Sequence, residues 1–161
     1  MVNVEIPDLS RVELSPQEIR PEFEPSEMSV RVARMLERYF RSEHVDFGDI
    51  PVVLDGLTPF RRNVLNAIRN IPYGKICTYG QVARDCGSPS AARAAGGALA
   101  SNPIPIIIPC HRVVASDGRL TGYSAPGGEK TKLELLQMEG VEFNGVLVVT
   151  NQVVIHRTSS R

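Results

Sequence analysis

From Thr58 onward the chain is punctuated at short intervals by helix start and stop signals, which confines it to short helices joined by tight turns. In TPFRRNVLNAIRNI (58–71), Thr58 stands at an N-cap position. Pro59 follows at the first helical position, where its missing N–H is no loss. Phe60, Val64, Leu65, Ile68 and Ile71 form the apolar stripe, and Pro72-Tyr73-Gly74 ends it. Thr78 is a second cap and Gly87 a second terminator. SPSAARAAGGALAS repeats the pattern with Ser88 at the cap and Pro89 behind it. Two short helices joined by a glycine-containing turn read as a helix-turn-helix. The second of them is unusual: Ala92, Ala94, Gly96 and Gly97 leave Arg93 as its one long side chain. Adjacent glycines cost a helix roughly 1 kcal/mol each against Ala. Small residues there imply a close approach, by a core neighbour or by an external partner.

Beyond this region, PIIIP (105–109) reads as a short buried strand and Ser116-Asp117-Gly118 as a turn. GGEKTKLELLQMEG is a last helix, with Leu133, Leu136 and Met138 inward and Gly140 ending it. VEFNGVLVVTNQVVIH alternates around Asn144-Gly145, a hairpin signal, with a second turn at Asn151. Upstream, residues 1–28 are rich in Pro and Glu and read as irregular or as short strands. MSVRVARMLERYFRS is a helix with Val32, Met35, Leu36, Tyr39 and Phe40 on one face, and EHVDFGDIPVVLDGL is a connector with a short strand. The expectation is an α+β fold. Residues 1–55 form a small N-terminal α/β-type subdomain with its connector, and residues 56–161 a mainly helical domain with the helix-turn-helix and short hairpins.

Residues 1–55 carry 12 acidic and 6 basic side chains and residues 56–161 the reverse, so zero net charge conceals a split. Such a split suits a polyanionic partner for the basic part, and equally an ordinary surface. No basic-then-apolar leader and no membrane-length apolar run is present, so an intracellular, cytoplasmic protein is expected, nucleoid-associated or, in a eukaryote, nuclear. Three cysteines (Cys77, Cys86, Cys110), no C-x-x-C pair and three scattered histidines (His44, His111, His156) argue against a disulfide framework and against a zinc site.

The chemistry concentrates in NPIPIIIPCHRVV (102–114), where an apolar run ends in Cys-His-Arg. A thiol reacts as thiolate and needs a lowered pKa or a nearby base. His111 is adjacent, but successive residues of an extended strand point to opposite sides. Contact therefore requires a sharp turn or a bridging water. A histidine base also needs an acceptor on its other nitrogen, and Glu139 is a candidate. The residues alone leave Cys110 open between buried filler and nucleophile, with Cys77 and Cys86 as filler.

IPCHRVV, preceded by ARAAGGALASNP and followed by GYS and LLQMEG, resembles the O6-alkylguanine-DNA alkyltransferases, as does PFRRNVLNAIRNIPYGKICTYGQVA. The resemblance runs through about residues 57–140. It implies single-turnover transfer of the alkyl group from O6-alkylguanine, and from O4-alkylthymine, to Cys110, with no cofactor and no metal. It further implies a relay from thiol through water to His111 and Glu139. Tyr79 and Lys132 would meet the charge on the leaving base, and Asn102 would be a hinge between recognition segment and active-site strand. The partner implied is double-stranded DNA containing alkylated guanine, bound by a monomer through the minor groove with the base flipped out. Arg93 would fill the stack, Ala92, Ala94, Gly96 and Gly97 would permit close approach, and Tyr79 and Arg112 would also meet DNA. Tyr123, Ser124 and the backbone of Cys110 and Val113 would line the pocket. The N-terminal part is shorter than in the larger relatives, and SAPGGEKTK is longer than the matching loop in some. Competing readings are a damage-binding relative without transfer, a plain helix-turn-helix protein and a Cys-His hydrolase. The first replaces its cysteine, the second leaves Pro-Cys-His-Arg unexplained, and the third lacks its usual signatures.

Overall fold

The computed structural model describes residues 25–149. The strands expected within the first 24 residues, the turn at Asn151 and His156 lie outside them. Helix α1 (Glu27–Phe40) opens at Ser26, whose hydroxyl accepts from Ser29 N–H at 3.1 Å. Its inner face, Val32, Met35, Leu36 and Tyr39, packs with Val45, Phe47, Ile50 and Leu135. No strand forms in the described connector. Gly48 and Pro51 break the run, and the Arg69 guanidinium takes the carbonyls of Gly48 and Ile50 at 2.9 and 2.6 Å, doing what a neighbouring strand would have done.

Helices α2 (Pro59–Ile68), α3 (Tyr79–Asp85) and α4 (Ala92–Ala100) pack on one another around Val64, Leu65, Ile68, Val82, Ala83, Ala95, Ala98 and Leu99. The caps read from sequence at Thr58 and Thr78 form, accepting from Arg61 and Gln81 N–H. Gly87, at φ +71°, ends α3 with Ser88 N–H on Ala83 O and its own N–H on Arg84 O, a Schellman closure. That closure consumes Ser88, which therefore does not cap α4. The helix starts at Ala92 without a side-chain cap, after a turn closed by Ala91 N–H on Ser88 O.

The expected strand at 105–109 is also absent. Prolines 103, 105 and 109 lack ladder donors, and the segment folds into a tight turn with Ile106 at φ +73° and one bridge between Pro105 and Ile108. A 3₁₀ turn at Cys110–Arg112 follows and leads into β2 (Val113–Val114). That strand pairs in parallel with β1 (Cys77–Thr78), Cys77 opposite Val113. This pairing seats the cysteine turn beside the start of α3. Helix α5 (Gly128–Met138) carries Leu135 and Leu136 inward, and Gly140 at φ +76° follows it. The hairpin β3 (Phe143–Asn144) and β4 (Leu147–Val148) turns at Gly145-Val146, one residue later than expected, because Asn144 pairs with Leu147. Gly118, at φ +84°, fits under it: a Cβ there would meet Val148 O at 2.5 Å.

Candidate active site

Cys110 heads the 3₁₀ turn and is 7% exposed. The sharp turn that contact with His111 required is present, yet the side-chain donor to Sγ is Asn102, at 3.1 Å. The same Asn102 amide donates to Ile108 O at 2.8 Å, and its oxygen accepts from Ile104 N–H at 3.1 Å. One side chain at the end of α4 thus staples the whole proline turn to the sulfur. Burial pushes the Cys110 thiol up. The Asn102 bond, the Lys132 charge and the N–H groups of Cys110 and His111 oppose that rise without cancelling it. The resting sulfur is a thiol, and a base must take its proton at the moment of attack.

His111 is fully buried. Its Nε2 lies 2.8 Å from Glu139 Oε1, and its Nδ1 has no partner among the described residues. Glu139 sits at the C-cap of α5, 4% exposed. Its carboxylate accepts from Arg112 Nε and Nη2 at 2.8 and 2.9 Å, from Tyr39 Oη at 2.7 Å and from Gly74 N–H at 3.2 Å. Burial pulls the carboxyl upward, but hydrogen bonds and charge from His111 and Arg112 outweigh it and hold Glu139 at about 2. The two-pronged bond from the Arg112 guanidinium favours the ionised Glu139 carboxylate independently of His111. Burial lowers the His111 pKa, with Glu139 pulling the other way, so the imidazole rests neutral. An ionised acceptor at Nε2 selects the Nε2–H tautomer and leaves Nδ1 a lone pair.

Lys132 is buried in α5 and donates to Val113 O at 2.6 Å and Thr121 O at 2.9 Å. Burial pulls its ammonium down to about 8. Tyr79 donates to the same Thr121 O at 2.6 Å, with Lys132 Nζ 5.7 Å from its ring centroid. Gly122 keeps this corner open, since a Cβ there would sit 3.0 Å from Tyr79 Oη. Burial and the neighbouring Cys110 push Tyr123 up to about 12, and its ring packs against the core cluster that holds Cys110. Ser124 is exposed and donates to Ala100 O at 3.2 Å. The Val113 backbone, expected to line the pocket, has its carbonyl accepting from Lys132 and its N–H donating to Cys110 O.

Arg93, Ala94 and Gly97 are exposed on α4, with Ala92 and Gly96 half-buried. A Cβ on Gly97 would meet nothing within 4 Å, and one on Gly96 would meet only the Tyr79 ring at 3.7 Å. Packing among the described residues therefore does not require these glycines. Arg112, expected at DNA, is instead buried, held by Glu139 and by Ile71 O at 2.7 Å. Sequence reasoning missed Tyr39 and Gly74 as members of the carboxylate's shell. A buried tyrosine needs a partner for its hydroxyl, and that was the only signal available.

Among the described residues no cluster of three or more His, Cys, Asp or Glu side chains could hold a metal ion, and no helix is long and apolar enough to cross a membrane. A cavity of about 680 Å³ runs along α1 past Glu27, Arg31, Arg34 and Arg38 and has none of the cysteine's neighbours in its lining.

Residues 59–141 match the family model for the DNA-binding domain of 6-O-methylguanine DNA methyltransferase. The match covers half of the chain and every residue of the cysteine cluster except Tyr39. The chain belongs to this family. A methylated-DNA–protein-cysteine methyltransferase of Methanosarcina acetivorans is 44% identical over 117 residues, 73% of this chain and 72% of that one. Its namesake in Haemophilus influenzae is 44% identical over 74% of this chain, which spans 64% of that relative's length. Among solved structures, Mycobacterium tuberculosis OGT in complex with DNA superposes with a TM-score of 0.65 at 40% identity, covering 78% of this chain and 76% of that one. The α+β architecture is that of these methyltransferases, with the helix-turn-helix of α3 and α4 set against the cysteine turn.

Proposed function

We propose that this methyltransferase-family protein repairs DNA by moving the alkyl group of O6-alkylguanine, and of O4-alkylthymine, onto Cys110 in one irreversible event, with the damaged base flipped out of the duplex through the minor groove. The observation that carries the reading is a neutral buried thiol next in the chain to a buried histidine that is polarised at one nitrogen and has no partner among the described residues at the other. A water between Cys110 Sγ and His111 Nδ1 would pass the proton. The S–C bond forms as the C–O6 bond breaks, the thiol proton ends on His111, and the electron pair released to the guanine is met by a proton from the Tyr79 or Lys132 corner. Glu139 stays ionised throughout and stabilises the imidazolium. To donate to a base, Tyr79 must release Thr121 O, and Lys132 is placed to keep that carbonyl satisfied.

Asn102 ties the sulfur to α4 and serves as the hinge. Arg93 fills the vacated stack, with Ala92, Ala94, Gly96 and Gly97 against the groove and Tyr123 and Ser124 beside the flipped base. The protein acts as a monomer in the compartment that holds the DNA. Residues 1–55 form a support for the alkyltransferase domain of 56–161.

The test is a duplex carrying one O6-methylguanine, followed by intact-protein mass. The expected result is one methyl gained by the wild type and none by Cys110→Ala. Tight binding without mass gain would make the protein a damage-binding relative instead.

A further inference from the structure

Three donors converge on one carboxylate oxygen. Glu139 Oε1 receives His111 Nε2 at 2.8 Å, Arg112 Nη2 at 2.9 Å and Tyr39 Oη at 2.7 Å, and that phenol oxygen lies 3.3 Å from His111 Nε2. Tyr39 is fully buried near the end of α1, 100 positions from Glu139 in the chain. Its ring is fixed edge-on by Phe40, Phe47 and Tyr73 at centroid distances of 5.5, 5.9 and 6.1 Å. Arg112 and the Gly74 N–H already keep Glu139 ionised and oriented, so the phenol is not needed for either task. What it changes is the charge that Oε1 offers to His111, because a hydrogen bond donated to a carboxylate draws negative charge away from its other partners.

We propose that Tyr39 is a positioning residue for the proton step: its hydroxyl sets how basic His111 is, so that docking of the N-terminal helix α1 governs the reactivity of Cys110. This rests on the alkyl-transfer reading of the site. The groups facing the pair are Tyr39 from α1, Tyr73 and the Gly74 N–H from the turn after α2, Arg112 from the 3₁₀ turn, and Lys132 from α5. Of these, only Tyr39 belongs to the N-terminal part.

The direction follows from the chemistry. With the phenol removed, Oε1 is more negative, the imidazolium is better stabilised, and His111 holds its proton to higher pH. A base that is protonated cannot accept from the thiol, so the acid limb of the transfer rate moves up.

The experiment measures the single-turnover methyl-transfer rate of the full chain against pH on an O6-methylguanine duplex. Tyr39→Phe keeps the ring and is expected to move the acid limb upward by about half a pH unit, with duplex affinity that of the wild type. Met28→Leu, which alters an exposed residue in the first turn of α1 far from the phenol, is expected to leave the limb in place. 3-Fluorotyrosine placed at position 39 is a stronger donor and keeps the ring if Tyr39→Phe does not fold. It is expected to move the limb downward. A limb that stays put in both Tyr39 variants, or moves equally in Met28→Leu, overturns the inference while leaving the function intact. A wild type that transfers no methyl at any pH overturns the function itself.

Discussion

Glu139 is the residue on which most of the site depends, and its chemistry can be read as stability. Its folded pKa of about 2 lies below the ordinary 4.5. The stabilisation it gives is therefore complete above about 4.5 and is lost as pH falls toward 2, amounting to roughly 3 kcal/mol. Urea denaturation across pH 2–6 is expected to show this fall in the wild type and a flatter dependence in Glu139→Gln. At pH 7 the variant is expected to be less stable by about 3–5 kcal/mol, because it leaves Arg112 as an unpaired buried charge. Cys110, His111 and Glu139 were candidates on their residue types alone, whereas Asn102 and Lys132 were named only through the family resemblance. Arg112 was misplaced because an arginine beside the nucleophile looks the same in sequence whether it faces DNA or its own carboxylate. Only the three-dimensional return of α5 decides that. Tyr39 was hidden for the reverse reason: in a helix stripe its ring reads as core and its hydroxyl carries no periodic signal.

Helix α4 answers the question its composition raised. Among the described residues nothing lies within 4 Å of where a Gly97 Cβ would go, so packing among them does not require the glycine. Gly97→Leu is expected to raise the melting temperature slightly, gaining about 0.5–1 kcal/mol of helix propensity, while weakening duplex binding at least about tenfold through lost approach to the groove. Thermal melting and fluorescence anisotropy separate the two effects. A loss of both stability and affinity would return the glycines to a packing role. Where local chemistry decides an element, the sequence was sufficient: Thr58, Thr78 and Gly87 cap and close as their residue types require. Where it failed, a competing local rule won. At 105–109 an apolar run promised a strand, but Pro105 and Pro109, with Pro103 just before them, withhold the donors a ladder needs. At Ser88 the Schellman closure claimed the residue first. In the hairpin, pairing of Asn144 with Leu147 moved the turn by one position.

At the scale of the whole molecule, the site joins elements from both ends of the described chain: α1 through Tyr39, the turn after α2 through Gly74, the cysteine turn, and α5 through Glu139 and Lys132. A group added to the sulfur is therefore felt widely. Cys110 is 7% exposed and already in contact with Asn102, and overpacking of that kind costs about 1–3 kcal/mol. The methylated protein is expected to melt about 5 °C below the unmodified one, measured by calorimetry on the two forms. The charge split foresaw a polyanionic partner only weakly, since an ordinary solvated surface can carry the same split. The central claim is that one particular sulfur is consumed once. The most direct measurement incubates the protein with a large excess of methylated duplex, counts methyl groups removed per protein, and maps the modified peptide. One equivalent, found on Cys110, is the expected result. Continued turnover, or a methyl on Cys77 or Cys86, would contradict it.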